Sequence, residues 1–282
     1  MNLLTWNAQW CRGIDGTVSP ARIVREARAF CDFDVLCVQE VAVNFPALAG
    51  SAGEDQVRLL AQALPGYTLH FAPATDVAGA NGERALFGNL IASRLPVLQV
   101  LRHALPWPAD PGVPSMARVA LEAVIAAPWG PLRVTTTHLE YYSGRIRLAQ
   151  VEALRALHAE ACAHALRPRL AGTPGDPFEA RPRPASGVLC GDFNFRPDDH
   201  GHANLLAPFD PPAPRLLDAW QTLHAPAPHP PTFRLHDAQA GEAPYCCDFV
   251  FVSEDLRARL RVIAVGADTR ASDHQPVRLE LI

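Results

Sequence analysis

The sequence predicts a mixed α/β fold with a single domain spanning residues 1–282, and three observations carry this prediction. With 49% of its 282 residues hydrophobic, the chain can bury a large core, in one large α/β domain or two small ones. Apolar runs of strand length alternate with longer segments of helical spacing. No linker long enough to separate two domains interrupts them, and no short repeat is present.

In chain order, residues 1–6 read as a short buried strand that delivers Asn7 at its end. Ser19-Pro20 is a helix start, with Ser as N-cap and Pro at the first helical position, and Ile23, Val24, Ala27 and Phe30 follow at helical spacing. Residues 34–39 form an apolar run too short for a helix; as a buried strand it delivers Glu40. A second helix is expected over 57–64, stopped by Pro65-Gly66. Strands follow at 67–71, 86–93, 97–101, 117–126 and 132–138. The clearest helix covers 145–166: Ile146, Leu148, Ala149, Val151, Leu154, Leu157 and Ala161 repeat at helical intervals, and Pro168 marks its end. Residues 167–185 and 208–231 are Pro-rich surface loops, the second around a short segment at 216–220. Between these loops lies a strand at 187–190, and the last strands are 249–252, 260–265 and 277–281.

Composition narrows the function. All 25 basic side chains are arginine, a pattern of GC-rich codon usage, and the net charge is −4. No strong global field therefore draws the chain to nucleic acid or an anionic membrane, although a local basic groove is compatible with it. The N-terminus has no signal-like run, and no apolar stretch approaches the ~20 residues of a membrane span. Seven cysteines without CxxC spacing, among them Cys31, Cys37 and Cys190 beside or within apolar runs, read as reduced core residues of a cytoplasmic protein.

The informative feature is where the polar residues fall. Apolar runs end on Asn7, Glu40, His138, Asp192 with Asn194, Asp248, and Asp273 with His274. Strand ends meet along one sheet edge, where sites form. Hard oxygen ligands such as Glu40 and Asp273 suit magnesium first and manganese second, and imidazoles beside carboxylates suit proton transfer and charge stabilisation. The set points to metal-assisted hydrolysis. Singly, each has a plainer reading: Asn7 a turn residue, Glu40 a solvated edge residue, His138 a half-buried histidine, Asp273-His274 a turn with an N-cap.

Taken in order, Thr5-Trp6-Asn7, Val38-Gln39-Glu40-Val41, Gly88-Asn89-Leu90-Ile91-Ala92-Ser93-Arg94, Thr137-His138-Leu139-Glu140, Gly191-Asp192-Phe193-Asn194, Cys247-Asp248-Phe249 and Ser272-Asp273-His274 resemble the endonuclease/exonuclease/phosphatase superfamily over nearly the whole chain. The resemblance implies a DNase I-like, four-layer α/β/β/α sandwich of two mixed sheets packed face to face, with the site at one edge. It implies a phosphate-ester substrate and a magnesium or manganese cofactor. Glu40 would be the main metal ligand, with Asn7 close by and Asp273 contributing directly or through water. Asp192 would position or deprotonate the attacking water, and Asn194 would hold it or a phosphate oxygen. Asp248 would fix the tautomer of His274, and His274 with His138 would contact phosphoryl oxygens. Asn89 and Arg147 would contact substrate.

One departure matters: many nuclease members carry an acid two residues after the first Asn, and here that residue is Gln9, which adds no negative charge. The Tyr-x-Pro-Asn stretch of apurinic endonucleases is absent, and Arg147 and Gln150 after Glu140 resemble the tyrosyl-DNA phosphodiesterase-like and small bacterial hydrolase branches. The expected activity is phosphodiester or phosphomonoester hydrolysis. A DNA-processing nuclease is the alternative within the superfamily, and an inactive binding protein the alternative of another class. No obligate protein partner is indicated. Asp198, Asp199, His200 and His202 read as a solvated loop rather than a metal site, as do His224, His229 and His236. Arg145 and Arg155 read as a solvated helix face, and Trp107, Tyr141, Tyr142 and Trp220 as core packing or loop anchors.

Overall fold

Alternation within the strands sets the architecture. The computed structural model describes residues 1–79, 82–211, 213–236 and 243–282; Pro212, inside the second Pro-rich stretch, lies outside them. One six-stranded sheet has the spatial order β11 (Leu260–Val265), β12 (Val277–Leu281), β1 (Asn2–Asn7), β2 (Val35–Val43), β4 (Arg84–Ser93), β3 (Thr68–Ala78). The other runs β5 (Val97–Ala104), β6 (Val119–Ala127), β7 (Gly130–His138), β8 (Gly187–Asp192), β10 (Asp248–Ser253), β9 (Leu216–Asp218). Both sheets are mixed: β1–β2 and β7–β8 are parallel, and their other pairings are antiparallel.

Successive side chains of a strand face opposite ways, and here both faces are covered. Leu3, Val35 and Cys37 of the first sheet meet Leu121, Val134, Val188 and Val250 of the second in a shared core. On the outer face of the first sheet, Leu4, Trp6, Leu36 and Val38 pack against Ile23 and Val24 of α1 (Pro20–Phe30). On the outer face of the second, Leu189, Phe249 and Phe251 pack with Val151 and Leu154 of α3 (Gly144–Leu166). The layers are therefore α/β/β/α, as expected. Burial on both faces is why these strands read as unbroken apolar runs.

Helix starts follow side-chain chemistry. The side chains of Ser19, Asp55 and Ser143 accept backbone N–H bonds at the heads of α1, α2 (Gln56–Ala63) and α3. Two strands outrun their expected limits: β3 reaches Ala78 rather than 71, and β5 reaches Ala104 rather than 101. Both are edge strands of partly exposed residues, so apolar runs understate them. On α3 the buried face includes Gln150 and His158 while Leu148 is exposed, so hydrophobicity alone misplaces that stripe. All seven cysteines are free and buried. No helix among the described residues is long and apolar enough to cross a membrane.

The topology creates one functional edge. Strand β1 ends beside Gln39 of its parallel neighbour β2, β7 and β8 finish side by side, and the antiparallel neighbours β6, β10 and β12 begin there. Gly191 makes the close approach of β7 and β8 feasible: its φ is +134°, and a Cβ would lie 2.0 Å from the Thr137 carbonyl oxygen. Gly191→Ala should therefore cost on the order of 2–3 kcal/mol, the upper part of the range of overpacking. Gly82→Ala, also at positive φ but with nothing within 4 Å, should cost less, about 1 kcal/mol, the low end of the cost of left-handed backbone for an L-residue. Equal losses of stability in urea unfolding would refute the steric explanation.

Candidate active site

Residue parity aims the polar ends inward. Thr5 and Asn7 continue the inward face begun by Leu3, Thr136 and His138 that of Val134, and Asp192 that of Val188 and Cys190. Facing residues then bond across the sheets. Gln39 Nε2 donates to Thr5 Oγ1 at 3.1 Å and to Thr136 Oγ1 at 2.8 Å. One layer further out, Asn7 Nδ2 donates to Glu40 Oε1 at 3.1 Å and to Asp192 Oδ2 at 2.9 Å. Asn7 Oδ1 accepts from the Gln9 backbone N–H at 3.0 Å. The amide thus joins a residue of each sheet.

Glu40 is not at a strand end, as the apolar run suggested. Strand β2 continues to Val43, and the register with β4 shifts between Val38 and Val41. Glu40 occupies this bulge at φ +60°. A bulge inserts one residue and re-aims its side chain; here it breaks the alternation and turns Glu40 into the cleft. Gln9, Trp10 and Asn194 of the cleft also have positive φ (47°, 41° and 52°). Backbone strain of this kind clusters at functional sites.

The acids and imidazoles perturb one another. Burial, followed by repulsion from Asp273, pushes the Glu40 carboxyl up to about 7. Burial likewise raises Asp192 to about 6, with His274 opposing it, and raises Asp273. Burial would lower His274, but Asp248, Asp192 and Asp273 together hold it at about 10. His274 Nδ1 is 2.8 Å from Asp248 Oδ2, which also accepts from Thr232 Oγ1 at 2.6 Å. His138 is held well below the usual imidazole range by burial, then by Arg118 and His274. Its Nε2 lies 3.5 Å from Asp192 Oδ2. One neutral and one charged imidazole therefore flank the same carboxylate.

Glu40, His138, Asp192, Asn194, Asp273 and His274 line one cleft of about 220 Å³. Asn7 and Asp248 stand behind it, bonded to its acids and to His274. Asn194 Nδ2 donates to the Leu139 carbonyl at 2.9 Å. Two residues expected to contact substrate lie outside the cleft lining. Asn89 is buried and donates to the Val119 carbonyl at 2.9 Å, tying one sheet to the other. Arg147 donates to the carbonyls of Glu140 and Tyr141 and shapes the loop before α3. Neither side chain lines the cleft. A larger cavity of about 630 Å³, between β5, the end of α3 and the loop at 168–184, has none of these convergent groups.

Other expectations also change. Asp199 caps α4 (His200–Leu206) rather than lying in a solvated loop. His202 is buried there, and its Nε2 and that of His229 each lie 2.8 Å from the single oxygen Asp218 Oδ2. The three residues are close enough to hold a cation, but these hydrogen bonds already account for their approach. Arg155 is not a solvated charge; it donates to the carbonyls of Asn204, Leu205, Ala207 and Pro208 at the end of α4. Tyr141 and Tyr142, expected to pack or anchor, are 38% and 61% exposed and stand on the cleft rim in an edge-to-face pair. Arg118, Thr232 and Phe233 were missed. Arg118 had a signal: it directly precedes a strand whose hairpin partner ends at His138.

The donor set fits a divalent cation. Glu40 and Asp273 are hard oxygen donors whose carboxyls are raised first by burial, and Glu40 next by repulsion from Asp273, so a cation beside them would favour their charged forms. Gln9 Nε2 donates to Asp273 Oδ2 at 2.8 Å, while its own Oε1 is buried without a hydrogen-bond partner. Magnesium is commonly bound through only one or two carboxylates.

Comparison with known proteins agrees with this geometry. The profile of the Endonuclease/Exonuclease/phosphatase family matches residues 4–274, and the chain belongs to that family. Its fold is similar to an endonuclease/exonuclease/phosphatase from Beutenbergia cavernae, with TM-score 0.69 and 23% identity over 100% of this chain and 71% of the other. It is also similar to a Bacteroides thetaiotaomicron mannosyl-6-phosphatase, with TM-score 0.65 and 16% identity over 100% and 99%. D. rerio TDP2 complexed with single-strand DNA product gives TM-score 0.66 and 17% identity over 99% and 97%. The search of curated proteins found no match. Family members are hydrolases acting on phosphate esters, and this chain is such an enzyme.

The imidazoles provide a direct check. In an NMR titration His274 should stay protonated through pH 8, His138 should titrate well below the usual imidazole range, and Asp248→Asn should bring His274 down. Because the folded pKa of His274 is raised, its stabilising contribution is complete below its unfolded value of ~6.5. That contribution is lost as pH rises toward about 10. Two rings titrating together near the unperturbed value would contradict this electrostatic account.

Proposed function

We propose that the protein is a metal-dependent phosphoesterase that hydrolyses a phosphodiester or phosphomonoester by attack of an activated water. The observation that carries the reading is the Asn7 amide bound to both Glu40 and Asp192, with His138 and His274 beside that acid pair. Glu40, with Asp273 and Gln9 near it, would hold magnesium or manganese. When bound, the ion supplies Lewis-acid polarisation of a phosphoryl oxygen.

The remaining roles belong to the chain. Asp192, raised to about 6, is a base poised near neutral pH to accept the proton of the attacking water. Asn7 holds its Oδ2, and the Asn194 backbone N–H donates to its Oδ1 at 2.9 Å, which fixes the carboxylate plane. His274, kept cationic by Asp248, stabilises charge that develops on the phosphoryl oxygens, and neutral His138 offers a hydrogen bond from the opposite wall. Such chemistry is mostly positioning plus electrostatics. The cleft is smaller than the ~300–1,000 Å³ of pockets that enclose a drug-sized ligand. With Trp10, Tyr141, Tyr142 and Phe233 among its lining, it suits a phosphoryl group and the first ring attached to it. The seven buried thiols favour a reducing cytoplasm.

The test is hydrolysis of p-nitrophenyl phosphate and bis-p-nitrophenyl phosphate with magnesium, manganese or EDTA. Turnover should require metal, vanish in Glu40→Ala, and fall ~10²–10⁴-fold in Asp192→Asn, the span of general-base effects. Metal-independent turnover, or full activity in Asp192→Asn, would overturn the reading. Metal binding should also be linked to pH. Glu40 and Asp192 have raised folded pKa values, so without a cation stability falls as pH rises from their unfolded values through about 7 and about 6. Magnesium should therefore raise the melting temperature at pH 7.5 and much less at pH 5; equal shifts would argue against ligation by Glu40.

A further inference from the structure

The connection between α3 and β8, residues 167–186, is long for a stretch without a helix or strand, and such loops are usually either disordered or functional. This one is firmly built. Within it the Gly175 N–H donates to Glu179 Oε2 at 2.9 Å and the Phe178 N–H to Asp176 Oδ1 at 2.7 Å. Arg183 then fastens it to the domain: Nε donates to Glu122 Oε1 of β6 at 3.0 Å, and Nη1 donates to Glu160 of α3. The loop roofs a cavity of about 630 Å³ whose lining shares no residue with that of the catalytic cleft. That volume falls within the ~300–1,000 Å³ of small-molecule sites.

The floor of the cavity is the edge strand β5. Leu101 pairs with Glu122, so Gln99, Leu101 and His103 share its face, opposite to Leu121 and Ala123 of the shared core. Three lining side chains carry a polar atom that is buried without a hydrogen-bond partner: Gln99 Oε1, His103 Nε2 and Arg183 Nη2. His103 Nε2 lies 3.4 Å from Glu122 Oε2, beyond a good hydrogen bond, and the Arg183 side chain is only 8% exposed. Each such atom costs free energy that a ligand supplying the missing partner would recover. The last torsions of Gln99 and His103 have broad preferences, so a small turn presents the amide or the ring to the cavity. Arg169, Arg181 and Arg183 border the cavity against one lining acid, Glu160. Of the three, Arg169 is exposed, and its side chain has no ion-pair partner among the described residues. The unmet groups are thus mainly donors, with one acceptor set among them.

We propose that this cavity is a second ligand site, which takes a small hydroxylated oxyanion: phosphate or carboxylate oxygens accept from Arg169, Arg183 and His103, and a hydroxyl of the same molecule donates to Gln99. The inference is independent of the chemistry of the cleft. Two probes separate the head groups: 2-hydroxyethylphosphonate, whose C–P bond a phosphoesterase does not hydrolyse, and malate. Each is titrated at constant pH and ionic strength, with magnesium present, into protein carrying isotope-labelled histidine. At least one probe should move the His103 and His164 ring resonances saturably, while those of His200, exposed and outside the cavity, stay in place. The better-bound probe identifies the head group. Arg183→Lys keeps a charge for Glu122 and loses the free N–H, so affinity should fall ~10-fold or more, as for a lost hydrogen bond to a charged group. Arg169→Ala should weaken binding ~3-fold, within the range of an exposed ion pair. Should the lysine variant fail to fold, Arg169→Ala decides, because that exposed side chain supports nothing else. No saturable shift with either probe, shifts confined to His138 and His274 of the cleft, or unchanged affinity in the arginine variants would overturn the proposal.

Discussion

The side-chain amide of Asn7 is the contact on which the rest of the site depends. Its two N–H groups reach an acid in each sheet, Glu40 and Asp192, and its oxygen turns the chain at Gln9. Hydrophobic packing between the sheets is strong but non-directional; it would tolerate small slides that a catalytic constellation would not. The amide and the Gln39 side chain just beneath it are directional ties across the interface. A net buried hydrogen bond contributes only about 0.5–1.5 kcal/mol, so their value is chiefly registry. Asn7 also supplies what two neighbouring carboxylates need, a shared neutral donor that binds both without neutralising either.

Around that tie the site divides its charges. Glu40 and Asp273 form an acidic wall, while His274 is kept cationic by Asp248, which Thr232 and His274 hold from two directions. His138, buried beside Arg118 and His274, remains neutral. Burial acts on all of these groups, but its outcome depends on the neighbours: the same desolvation that neutralises His138 is overcome at His274 by three carboxylates. The fold provides both environments because β7 and β8 end where β10 and β12 begin.

Much of this was legible in the sequence, and the failures have a common cause. Asn7, His138 and Asp192 could be found because each ends an apolar run, and both sheets are buried on both faces. Glu40 was found for an inaccurate reason: its run does not end, and a bulge that no local pattern announces makes the turn. Arg118 escaped because attention to strand ends overlooks the residue just before an antiparallel neighbour, and Thr232 because it lies in a loop 16 positions from its partner Asp248. Asn89 sits in a motif of the family, but its bond to Val119 depends on how the sheets stack, which no spacing reveals. His202 and His229 looked like loop residues because their partner, Asp218, is 16 and 11 positions away in sequence. The tyrosine pair failed in the opposite direction, since an aromatic beside a buried strand is ordinarily core.

The account stands or falls on whether Glu40, the acid that Asn7 ties to the general base, holds the ion. Electron paramagnetic resonance of manganese, titrated into wild type, Glu40→Gln and the double variant His202→Ala/His229→Ala, tests this most directly. Bound manganese should disappear or weaken sharply in Glu40→Gln while the fold persists, and should be unaffected in the double histidine variant. Manganese that stays bound in Glu40→Gln and is lost with His202 and His229 would place the ion at Asp218 and contradict the assignment of the cleft as the metal centre.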